Sequence, residues 1–85
     1  MADDHLAFVN LILLVGTMTT QRLDMAGAAP ADQRNEMLHK ARENIDMLAS
    51  LKKRTTGRLT EDEARIMETL LADLQTRYVK ALVHR

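Results

Sequence analysis

The chain has 85 residues and a mass of 9.6 kDa, room for one small domain whose own core buries only about 60–65% of the unfolded surface. Twelve Lys and Arg balance twelve Asp and Glu, which argues against a protein held on nucleic acid by bulk positive charge. The lack of cysteine excludes disulfide and thiolate chemistry, while 46% hydrophobic content with one proline, one Phe, one Tyr and no Trp argues against disorder and against an aromatic-rich sandwich.

Three helices are predicted in chain order, near 4–26, 31–55 and 61–83, with no strand signal and a single helical domain over 1–85. The breaks are two. Gly27-Ala28-Ala29-Pro30 reads as a glycine after a helix, then a proline fit to open the next. Thr56-Gly57-Arg58-Leu59-Thr60 reads as a turn with Gly57 in a left-handed C-cap, and Thr60-Glu61-Asp62-Glu63 as a capping box opening the third helix. Charge is uneven along this path. Residues 1–30 carry Asp3, Asp4 and Asp24 against Arg22, residues 31–58 carry seven bases against four acids, and residues 59–85 four bases against five acids.

The first helix is apolar in nearly every direction, through Leu6, Ala7, Phe8, Val9, Leu11, Ile12, Leu13, Leu14, Val15 and Met18. Only Asn10, Thr17, Gln21 and Asp24 align, as a narrow polar seam. A helix apolar all round must be covered all round, and one hairpin covers one side of it. A second copy is the favoured cover, since small domains commonly complete their cores by oligomerising. A membrane is the weaker one. The run from Leu6 to Met18 is 13 residues with Asn10 and Gly16 inside it, against the roughly 20 that a span requires. The start at Asp3-Asp4-His5 also lacks the basic region of a secretory signal.

The second and third helices are amphipathic. Met37, Leu38, Ala41, Ile45, Leu48 and Leu51 form one stripe; Ala64, Met67, Leu70, Leu71, Leu74, Tyr78, Ala81 and Leu82 form the other, with Ile66 on its flank. Met67, Leu74 and Ala81 recur every seven residues, so a short connection predicts an antiparallel hairpin with a coiled-coil-like seam. Met18, Met25 and Met47 lie off the main stripes and are expected at an interface. Tyr78 sits mid-stripe, which sets its hydroxyl the demand of a partner at the edge of the packing.

No constellation of residues assembles a nucleophile, a base and an oxyanion donor, so no enzyme is expected. Lys52, Lys53, Arg54 and Arg58 are the one basic cluster. They are read first as cations complementing the negative end of the second helix and capping its last carbonyls, and alternatively as anion or nucleic-acid contacts. Glu36 and His39 have the spacing of half a carboxylate-bridged metal site, with Glu43 nearby. All three fall on the side opposite the apolar stripe, so a solvated face is expected and neither metal nor cofactor is assigned. His5 and His84 sit near the termini without metal-ligand spacing, where fraying is expected.

From Ala41 the chain reads ARENIDMLASLKKRTTGRLTEDEARIMETLLADLQTRYVKAL. The Ile45-Asp46-Met47-Leu48 segment, the turn Leu51 to Thr60 and the ending Arg77-Tyr78-Val79 resemble the bacterial family of domain of unknown function 1844. An apolar first helix in this position also fits that family, whereas the Ala-Gly-Ala-Ala-Pro connector within 23–35 departs from it. The resemblance implies a small, cytoplasmic, all-helical bacterial protein and transfers no catalytic or ligand residue.

The expected fold is therefore all-α: an apolar N-terminal helix plus an antiparallel helical hairpin, completed as a bundle by homo-oligomerisation. The expected role is a non-enzymatic interaction or scaffold module, most simply a homodimer, whose interface draws on Leu6, Val9, Ile12, Leu13, Leu14 and Met18. A helix of another protein is a further candidate partner. A nucleic-acid-binding protein using Lys52 to Arg58 is the alternative, and a metal-binding bundle using Glu36, His39 and Glu43 the weaker one.

Overall fold

The computed structural model describes the backbone of residues 2–83 and the side chains of residues 4–83; His84 lies outside them. Helix α1 spans Ala2–Ala28, α2 spans Ala31–Arg54 and α3 spans Glu61–Val83, within two residues of the sequence expectation at each end. They form an up-down-up bundle in which every helix touches the other two.

The connections obey local chemistry, with one difference from expectation. Gly27 is not a terminator: α1 continues through it to Ala28, and only Gly57 among the described residues has a positive φ. What ends α1 is Pro30, whose ring forbids helical backbone for the residue before it. The C-terminus of α1 has no basic residue of its own. Arg34 supplies one from the next helix, donating from Nε to the Ala26 carbonyl at 3.2 Å and from Nη2 to the Ala29 carbonyl at 3.3 Å. At the other turn Gly57 takes φ 82°, the left-handed region that only glycine enters without strain. The capping box forms as its spacing predicts: the Glu63 N–H donates to Thr60 Oγ1 at 3.1 Å, and the Thr60 N–H donates to Glu63 Oε1 at 2.8 Å.

The core is continuous along the bundle. At one end Ile12, Ile45, Leu48, Met67, Leu71 and Leu74 interlock, with Phe8, Val15 and Leu70 against them. At the other, Leu23, Ala26, Leu38 and Ala41 do the same, and Tyr78 touches both groups. The hairpin stripes therefore stand as expected, except that Leu82 is 40% exposed at the last turn of α3. Two buried polar residues join them: Asn44 on α2 and Glu63 on α3.

Helix α1 resolves its all-round hydrophobicity in a way its composition does not reveal. The inward line runs Ile12, Gly16, Thr19, Leu23 and Ala26, all buried. Ile12 is fully enclosed by α2 and α3, so it belongs to the chain's own core and not to the outer interface to which its sequence assigned it. Gly16 is a seat: a Cβ there would lie 2.9 Å from both methyl carbons of Leu70, so its absence leaves room for that side chain of α3. Thr19 is completely buried, and its hydroxyl donates to the Val15 carbonyl at 2.7 Å, which satisfies it within the helix.

Candidate interaction surface

With α1 seated by that line, its remaining sides face outward. Leu6, Leu11, Leu13, Leu14, Met18 and Met25 are between 41% and 58% exposed, and Asn10, Thr17, Gln21 and Asp24 form the exposed polar seam the sequence shows. Four of the six expected interface residues, Leu6, Leu13, Leu14 and Met18, thus lie at the surface, Val9 is half-buried, and Ile12 is inside.

The outward residues divide into two strips. At 100° per residue, Ala7, Leu11, Leu14, Met18 and Met25 fall within about 60° of one another, at the alternating spacing of four and three that marks a coiled-coil seam, interrupted at Gln21. Leu6 and Leu13 lie roughly 80–100° around from that strip. Leu13 there borders a shallow groove against α3 lined by Arg65, Ile66, Thr69, Leu70 and Asp73. Leu11 is absent from the expected interface, although a test for seven-residue recurrence (Leu11, Met18, Met25) finds it in the sequence beside the two methionines already placed at an interface.

Length and composition also allow α1 to cross a membrane, over Asp4–Ala28, a stretch longer than the apolar run read from the sequence. The mostly buried core helix of a soluble protein and an N-terminal signal sequence meet the same criterion; here 22% of an 18-residue window of the stretch is buried, along the line packed into this bundle.

The polar groups are arranged as follows. His5 does not stand apart at a frayed end: its Nδ1 lies 3.0 Å from Glu63 Oε2, joining the start of α1 to the start of α3. Glu63 has a side chain only 10% exposed. The Thr60 backbone N–H bond, aided by His5 and the Thr60 hydroxyl and opposed by burial, holds its carboxyl below the ordinary value of 4.5. The sequence signalled the cap, but the contact of residues 58 apart comes only from packing.

Glu36, His39 and Glu43 are all exposed, and they bond along their helix instead of converging. His39 Nε2 lies 2.9 Å from Glu43 Oε1, and Lys40 Nζ lies 3.4 Å from Glu36 Oε1. Among the described residues no group of three or more His, Asp or Glu is placed to hold a metal ion. Lys52, Lys53, Arg54 and Arg58 are exposed, and among the described residues none makes an ion pair. The last carbonyls of α2 are capped by hydroxyls: Thr55 Oγ1 donates to Leu51 O at 2.7 Å and Thr56 Oγ1 to Lys52 O at 3.1 Å. The cations therefore contribute charge to that helix end without bonding its carbonyls.

No curated protein and no solved structure matches the chain. The model of domain of unknown function 1844 does, over residues 8–80, a stretch that takes in the apolar helix, the basic turn and the hairpin alike; the chain belongs to that family.

Proposed function

We propose that the chain is a non-enzymatic cytoplasmic helical module that works as a homo-oligomer, most simply a dimer, with the outer face of α1 as its interface. The observation that carries this reading is the exposure of six large apolar side chains on one helix, while α2 and α3 turn mostly charged residues outward. Burying a Leu or Met side chain contributes about 1.5–3 kcal/mol. Half-burial of several such residues on each of two copies is of the size that association costs, about 4–15 kcal/mol. Left in water, apolar side chains gathered on one helix in this number are a liability that monomeric proteins rarely carry.

Absolute mass by light scattering on a sizing column, across a range of concentrations, tests the reading. A dimer or larger species that loses its partner on the double change Leu13→Asp and Leu14→Asp, with helicity retained, supports it. A stable monomer of 9.6 kDa at all concentrations overturns it.

A second reading rests on the four exposed cations at the turn between α2 and α3, which an oligomer would repeat by symmetry. On that reading the module contacts nucleic acid through Lys52, Lys53, Arg54 and Arg58. Binding would fall steeply with salt and vanish on Lys52→Glu with Lys53→Glu. No gel shift at low salt dismisses it.

A further inference from the structure

We infer that the occupant of the α1 strip is the α1 of a second copy, laid antiparallel in one register; this rests on the proposed self-association and specifies its geometry. Between Leu6 and Gln21 the helix carries no Asp, Glu, Lys or Arg, so charge reaches the strip only at its ends. Asp4 and Arg22 are 18 residues apart, five full turns, and so stand on the same line, about 50° from the centre of the strip and on the same flank. Among the described residues neither makes an ion pair within the chain.

Two helices meeting antiparallel about a two-fold axis bring like flanks together, so Asp4 of one copy faces Arg22 of the other, twice. A parallel pair would set Asp4 beside Asp4 and align the two helix dipoles unfavourably. The same register orders the apolar layers. With residue positions summing to 25 across the pair, Leu11 lies opposite Leu14, Ala7 opposite Met18, and Asp4 level with Gln21, one residue along the axis from Arg22 on the shared flank. Leucine meets leucine, alanine meets methionine and polar meets polar. The neighbouring antiparallel register, one heptad on, buries Gln21 against Leu11 and moves Asp4 to the negative C-terminal end of the partner helix. Met25 falls beyond the overlap, and Leu6 and Leu13 lie off the seam beside α3.

The absence of native cysteine makes a disulfide test clean. Ala7→Cys and Met18→Cys are both surface changes on one copy. A disulfide needs Cα atoms roughly 4.4–6.8 Å apart. In the antiparallel register the two positions face each other, while each lies about 16 Å along the axis from its own equivalent. An equimolar mixture of the two variants, oxidised as folded protein, is expected to give mainly the mixed disulfide, and either variant alone little dimer. Asp4→Arg is expected to weaken the dimer at least several-fold and Asp4→Arg with Arg22→Asp to restore it. Efficient self-crosslinking of Met18→Cys would show a parallel pair and overturn the inference. A dimeric mass with no crosslink in any combination would overturn the strip and register while leaving self-association standing. A monomeric mass would overturn both.

Discussion

Helix α1 departs from the rule that the hairpin follows, because both of its faces are apolar. On α2 and α3 the buried stripe is the most apolar one, and the outward faces carry pairs such as Arg42 with Asp46 and Arg77 with Asp73. On α1 the buried line includes a glycine, a threonine and an alanine, whereas leucines and methionines face out. Both sides of the helix are apolar, so hydrophobic transfer by itself does not choose between them. Steric fit is what prevails. Gly16 leaves room for the Leu70 side chain, and Ala26 is buried among Leu23, Leu38 and Ala41, where the space is already close-packed. Large apolar residues therefore stand on both sides of α1, and the outer ones are those that the proposed self-association would cover.

Core substitutions should separate the two faces most sharply. Leu74→Ala, at a fully buried position, is expected to cost about 2–5 kcal/mol of unfolding free energy at every protein concentration. Leu14→Ala, at 58% exposure, should cost little in dilute protein and more as concentration rises. Urea unfolding over a hundredfold concentration range compares them; equal, concentration-independent losses would place Leu14 in the chain's own core.

The steric argument for the inner face is tested at Gly16. Gly16→Leu forces Leu70 and with it α3 away from α1, a loss of about 1–3 kcal/mol. Thr17→Leu, one residue on and exposed, is expected to be near neutral by thermal melting. If the two variants melt together, the close approach of α1 and α3 does not stabilise the bundle.

Smaller effects gather at the end where α1 meets α3. Thr60→Ala removes the N-cap acceptor for Glu63 and should cost about 1 kcal/mol, read from chemical denaturation near neutral pH. The smallest effect is on acid stability. The folded chain holds the Glu63 carboxyl below 4.5, so it binds fewer protons there than the unfolded chain does. That stabilisation is complete above pH 4.5 and is lost as the pH falls through the lowered folded value. His5→Ala removes one of the groups that lower it, so the decline in melting temperature on acidification should be shallower in the variant than in the parent protein. Superimposable acid limbs would show that His5 does not act on this carboxyl in solution.

Much of this fold is written in local pattern. The three helices, the Thr60–Glu63 capping box, the left-handed Gly57 and the two hairpin stripes follow from periodicity and turn chemistry, because each depends on residues within a few positions of one another. So does the exposed seam of Asn10, Thr17, Gln21 and Asp24. Gly27 misled because glycine permits a helix end without requiring one, and Pro30 three residues later supplied the stop.

Which face of α1 turns inward was a different kind of question. A helix with apolar residues on nearly every side has no preferred face by periodicity, so Ile12 and Leu13 look equivalent in sequence although one is fully buried and the other 48% exposed. The decision came from a notch at Gly16 that matches Leu70, from Arg34 reaching back to the Ala26 and Ala29 carbonyls, and from His5 meeting Glu63. Shape complementarity and long-range hydrogen bonds exist only once the three helices are assembled. The sequence by itself therefore determined the helices, their caps and the hairpin, and the tertiary structure alone decided which leucines of α1 remained for a partner.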